Sequence, residues 1–125
     1  MIDHMTFRVA DIAATRTFYE KALAPLGYAA AYEGTHDGVH MVGFGRDGKT
    51  DTWFVETRPA TSAVHIAWTA PSRAAVDAFH RAALDAGGRD NGPPGVRAHY
   101  HAHYYGAFVI DPDGNNIEAV CHAPA

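Results

Sequence analysis

A chain of 125 residues supplies one domain, or two small modules sharing a core, and 47% hydrophobic with 19% charged residues marks it as globular rather than disordered. A net charge of -4 with no basic run argues against nucleic acid as a partner, and no apolar run approaches a membrane span. A single cysteine, Cys121, excludes an internal disulfide framework.

The N-terminal stretch MIDHMTFRVAD begins with alternation and an acid where a signal peptide would have a basic segment. The expected location is therefore cytoplasmic. Residues 2–9 read as a strand with Met5, Phe7 and Val9 on its apolar face and His4, Thr6 and Arg8 on the other. Asp11 has N-cap chemistry. Ile12, Thr15, Phe18, Tyr19, Ala22, Leu23 and Leu26 follow at helical spacing, and Gly27 ends the helix. Strands are expected at Tyr28–Tyr32, Val39–Phe44 and Thr52–Thr57, with a turn at Arg46-Asp47-Gly48. In the last of these strands Trp53 and Val55 are read as core-facing and Thr52, Phe54 and Glu56 as opposed.

After a break at Arg58–Thr61 the pattern restarts. Val64–Thr69 is a strand, with Ile66 and Trp68 opposed to His65 and Ala67. Ser72 caps a helix that buries Val76, Phe79, Ala83 and Leu84, and Gly87-Gly88 closes it. Residues 89–98 are turn-rich and leave room for at most a short strand. The segment His99–Tyr105 carries three histidines at spacing two, which share a face if it is extended. The final hairpin, FVIDPDGNNIEAVCH, turns at Pro112-Asp113-Gly114. Beyond that turn Ile117, Ala119 and Cys121 point one way, and Asn116, Glu118, Val120 and His122 the other.

The restart is an internal repeat. A shift of 61 lays His4 on His65, Phe18 on Phe79, Leu23 on Leu84 and Gly27 on Gly88, and aligns the caps Asp11 and Ser72. Further on, a shift of 66 lays Asp47-Gly48 on Asp113-Gly114. Each half reads strand, helix, three strands, so modules at about 1–58 and 64–122 of a single domain, 1–125, must pair to bury enough surface, and the short break at 58–63 permits pairing within a chain or across chains.

His4, His65 and Glu118 each stand on a strand, opposite its large apolar residues. A carboxylate in a short apolar strand needs a partner or a cation. Two imidazoles and one carboxylate make a facial set suited to Fe(II), Mn(II), Zn(II), Co(II) or Ni(II), with positions open for substrate. The bland alternatives are hydrogen-bonded surface histidines and a solvated glutamate. The shared parity and the repeat symmetry favour the metal.

These residues lie in HMTFRVADIAATRTFYEKALAPLGY, HIAWTAPSRAAVDAFHRAALDAGG and FVIDPDGNNIEAV. Through these segments nearly the whole chain resembles the vicinal oxygen chelate superfamily of glyoxalases, extradiol dioxygenases and bleomycin resistance proteins. The resemblance implies an α+β fold in which two βαβββ modules pair into a cupped, eight-stranded mixed sheet with helices outside. It implies one divalent metal on His4, His65 and Glu118. It also implies a small-molecule substrate held through two neighbouring oxygens, and symmetric homodimers by default. Glyoxalase I has a second glutamate as repeat-mate of the last one. Here the repeat offers Thr52 or Phe54, and Glu56 reaches the site only if its strand is bulged.

His101 and Tyr105 are expected in the pocket wall, His101 as general acid or base and Tyr105 as a phenolic donor. Arg8 is a candidate for a substrate carboxylate, with an ordinary salt bridge as the alternative. The function expected is that of a metal-dependent lyase, isomerase or dioxygenase, with Glu118 among its catalytic residues. The alternative is a metal-free module that sequesters a small molecule, as in the bleomycin-binding branch.

Overall fold

The structure is a computed structural model that describes residues 2–125. The first half runs β1 (Met5–Val9), α1 (Ile12–Leu23), a short 3-10 turn (Ala24–Leu26), β2 (Ala29–His36), β3 (Val39–Arg46) and β4 (Lys49–Glu56). The second runs β5 (His65–Thr69), α2 (Arg73–Asp85), β6 (Arg89–Val96), β7 (Tyr105–Ile110) and β8 (Asn116–Cys121). The sheets have equivalent orders, β1-β4-β3-β2 and β5-β8-β7-β6. The first strand of each half lies parallel to its last, and the other pairings are antiparallel. No ladder joins the two, so the eight strands stand as two sheets of four.

The capping chemistry read from the sequence is present. Asp11 Oδ1 accepts the Ala14 N–H at 3.1 Å, and Ser72 Oγ accepts the Ala75 N–H at 3.1 Å. Each cap is worth about 1 kcal/mol. Gly27 ends the first helical segment at φ +83°, where its N–H reaches Ala24 O. Both helices lay their apolar faces on their own sheets and pack against each other. One buried cluster spans both halves and includes Phe7, Phe18, Phe44, Phe54, Trp68, Val76, Phe79, Val109 and Ile117. The two halves thus contribute to the same core.

Polar contacts fasten the halves together. Tyr19 on α1 donates to Asp111 Oδ2, in the β7–β8 turn, at 2.5 Å. Asp111 Oδ1 accepts the N–H groups of Asp113 and Asn115, so this buried carboxylate fixes the turn. The connecting segment is tied to both halves: the Thr61 N–H donates to Arg8 O, and Asn115 Nδ2 donates to Thr61 O.

Three local expectations are corrected. In β4 the core residues are Thr52 and Phe54, because the parallel register sets Phe54 beside Phe7, and Phe7 faces the core. Trp53 therefore turns to the opposite face, where it packs on Tyr32 with ring centroids 5.6 Å apart. The turn-rich residues 89–96 form an eight-residue edge strand, β6, whose ladder breaks between Asp90 and Gly92 and between Gly92 and Gly95. Pro93 and Pro94 are tolerated there because an edge strand has a side on which no N–H is needed. The His99–Tyr104 segment is not extended. Tyr100 N–H donates to Arg97 O, Tyr104 N–H to His101 O and Arg97 N–H to Tyr104 O, giving two successive turns. The three histidines consequently do not share a strand face.

Candidate metal centre

β8 is central in its sheet, between β5 and β7, so the side chain of Glu118 is hemmed in from both sides. In register it lies beside Ala67 of β5 and opposite Phe108 of β7. Only 1% of Glu118 is exposed. A carboxylate so placed costs several kcal/mol unless its oxygens find partners. Oε2 lies 2.8 Å from His65 Nε2, and Oε1 accepts a hydrogen bond from the Tyr104 hydroxyl. Gly106 makes room for this arrangement. A Cβ there would stand 3.1 Å from Glu118 Oε1 and 3.2 Å from the Tyr104 ring.

His65 is oriented from behind. Asn91 Nδ2 donates to Asn116 Oδ1, which leaves Asn116 Nδ2 to donate to His65 Nδ1 at 3.0 Å. The network assigns the proton of neutral His65 to Nε2, facing Glu118. Burial first, and then the neighbouring Glu118 carboxylate, hold the Tyr104 phenol well above its ordinary pKa of 10.0. Tyr104 therefore stays a hydrogen-bond donor at neutral pH.

An imidazole nitrogen and a carboxylate oxygen 2.8 Å apart, with the imidazole half-exposed, are close to the spacing of adjacent ligands on one cation. Bonds of about 2.1 Å meeting at right angles give about 3 Å. A cation would take the place of the shared proton as the counter-charge to Glu118, and the donor set suits Zn(II), Mn(II), Fe(II), Co(II) or Ni(II). Among the described residues no group of three His, Cys, Asp or Glu side chains converges within one chain. His4 instead pairs with Asp3 through Nδ1 at 2.8 Å, and Lys49 Nζ contacts the same carboxylate at 2.8 Å. Lys49 and His4 together hold Asp3 down at about 2. His4 lies beyond the start of β1, its side chain 56% exposed. The structure thus brings together two of the three expected ligands.

The other expected residues divide. His101 lies at the rim of this face, with Nε2 2.8 Å from Nδ1 of His122. Its Nδ1 accepts the His103 N–H, and its ring stands 5.5 Å from that of Tyr104. Tyr105 points the other way. Its hydroxyl donates to Asp77 of α2 at 2.7 Å, and Arg73 lies over its ring. Adjacent residues on a strand face opposite sides, so it is Tyr104 that meets Glu118. Glu56 faces the core side of β4 and accepts the Ile12 N–H at 2.8 Å, closing the first turn of α1. Arg8 makes no ion pair among the described residues. Its backbone is bonded to Thr61.

The repeat-mate of Glu118 is also resolved. Ala67 lies beside Glu118 as Thr6 lies beside Trp53. The position is filled by Trp53, not by Thr52 or Phe54, and holds no carboxylate.

The family model for the Glyoxalase/Bleomycin resistance protein/Dioxygenase superfamily matches residues 1–119. Among solved structures, a glyoxalase/bleomycin resistance protein from Albidiferax ferrireducens is 27% identical, covers 98% of this chain and 99% of its own, and superposes with a TM-score of 0.79. A glyoxylase/bleomycin resistance protein/dioxygenase domain from a Frankia species is 16% identical over 98% of each chain, at a TM-score of 0.74. Glyoxalase I from Zea mays is 18% identical over 99% of this chain and 45% of its own, at a TM-score of 0.70. At the identities of these last two the likeness is one of fold. No curated protein matches the chain in sequence. With nearly its whole length matched by the family model, the chain belongs to the glyoxalase/bleomycin resistance protein/dioxygenase superfamily.

Proposed function

We propose that the protein is a small metal-dependent enzyme that binds its substrate through two neighbouring oxygens on a divalent metal. Its ligands are His65 and Glu118 of one copy and His4 of a second copy in a symmetric homodimer. The observation that carries this reading is Glu118, a buried carboxylate on a face shared with a half-exposed imidazole and backed by Tyr104. His4 is the repeat-mate of His65 and flanks the equivalent strand of the other sheet, so a twofold axis offers it to the incomplete set. A bound metal supplies Lewis acidity to the substrate oxygens. The chain's own groups do the rest. Asn116 and Tyr104 hold His65 and Glu118 in place, the role outer partners play around metal ligands. His101 and His122 form a proton-handling pair at the rim. Because His101 Nδ1 accepts from the backbone, its proton sits on Nε2 and is shared with His122 Nδ1. Lyase, isomerase and dioxygenase chemistries all suit this arrangement.

Metal analysis after exposure to Mn(II), Ni(II) or Zn(II) is expected to find about one ion per chain, lost in Glu118→Gln. Diols, α-keto hemithioacetals and catechols then define the reaction. A wild-type protein that retains no metal, and is unchanged by Glu118→Gln, contradicts the reading and leaves a metal-free binding module.

A further inference from the structure

Arg97 occupies an unusual position for a surface arginine. It follows the irregular edge strand β6, and its side chain folds back over that strand. Nη1 donates to Gly95 O at 2.9 Å and Nη2 to Pro93 O at 2.7 Å. The guanidinium lies 5.4 Å from the centroid of the Phe108 ring. Phe108 is opposite Glu118 in the β7–β8 register, and its ring is 6.0 Å from that of His65. One aromatic ring therefore separates the arginine from the candidate ligand pair, on the same side of the sheet.

Room for the arginine is built into the backbone. A Cβ at Gly92 would stand 3.3 Å from Nη2, and one at Gly95 would stand 3.1 Å from Nη1. Gly92 also has φ +154°. The two carbonyls consume two of the five guanidinium N–H groups and leave three. No carboxylate pairs with Arg97 among the described residues. A guanidinium held in a fixed orientation over an aromatic face, with donors to spare and no counter-ion, is preorganised for a planar anion.

Resting on the metal reading of the site, we propose that Arg97 is its carboxylate-recognition residue, and that the substrate is an oxygen chelator carrying a separate carboxylate. The chelating oxygens face His65 and Glu118, the body of the molecule lies along Phe108, and the carboxylate meets the free edge of the guanidinium. Phe108 is thereby the floor between the two polar ends.

The test uses full-length, metal-loaded protein and calorimetry with a matched series. Pyruvate supplies the chelating head alone. Oxaloacetate, 2-oxoglutarate and 2-oxoadipate add a carboxylate at increasing reach. At least one diacid is expected to bind about tenfold more tightly than pyruvate, the gain of one well-placed charged hydrogen-bond pair. Arg97→Met removes that advantage while pyruvate affinity and metal content hold, with a folded far-UV circular dichroism spectrum. Arg97→Lys keeps part of it, and its retained charge guards against a folding artefact in the methionine variant. Stoichiometric metal with no diacid preferred over pyruvate overturns the inference alone, as does a preference that survives Arg97→Met. A protein that takes up no metal overturns the reading of the site and this inference with it.

Discussion

Glu118 has each of its oxygens engaged, one by His65 and one by Tyr104, and the two partners have different tasks. His65 is half-exposed and, on the metal reading, is the partner that would give up its proton to a cation, whereas Tyr104 remains a donor because its phenol is held far up. Tyr104→Phe is therefore expected to weaken metal binding about tenfold, as loss of an outer partner does. Tyr105→Phe leaves metal binding unchanged, because its hydroxyl serves Asp77 on the other face. Competition with a chromophoric chelator measures both. That Glu118 shares a sheet face with His65 was legible from strand parity and the repeat. The choice between Tyr104 and Tyr105 was not, since it depends on where the preceding turns release the chain into β7. Trp53 shows the same limit: an aromatic stands at both parities of TDTWFVE, and only the pairing with β1 decides which one is buried.

At the level of elements, the β7–β8 hairpin holds the two halves in place as well as presenting Glu118. Its turn carboxylate, Asp111, is buried and receives the Tyr19 hydroxyl and two backbone N–H groups. Asp111→Ala leaves those donors without a partner and is expected to cost about 2–4 kcal/mol in denaturant unfolding, with the helices retained. Burial first, and then Asp111, push the Tyr19 phenol well above 10.0, and Tyr104 is raised as well. A group whose folded pKa is raised contributes its stability fully below the unfolded pKa. That contribution is lost as pH climbs beyond it. Stability is thus expected to fall above pH about 10, with Tyr19 and Tyr104 yielding phenolate absorbance only on unfolding. Early titration of all six tyrosines in the folded protein contradicts this. Both helices and the hairpin were readable from caps, spacing and turn residues. β6 was not, because its prolines and glycines carry a turn signal that the edge position overrides.

Across the whole molecule the two sheets have equivalent strand orders and one core cluster draws on both halves, a symmetry visible as the internal repeat. It did not foretell how the halves face each other. The helices pack together, and His4 stays apart from the pair formed by His65 and Glu118. The connecting residues 57–64 are too few to reveal this in sequence and are compatible with pairing inside or between chains. On the far side of the first sheet from the core, Trp53 is half-buried and Tyr32 is exposed. Association of two copies through these sheet faces would cover such residues and supply the absent histidine. The direct test mixes refolded His4→Ala and Glu118→Gln chains, each expected to bind no metal alone. Random pairing gives half mixed dimers, each with one intact site, so metal content should return to about a quarter of the wild-type value. A mixture that stays as metal-free as its two components contradicts a site shared between copies.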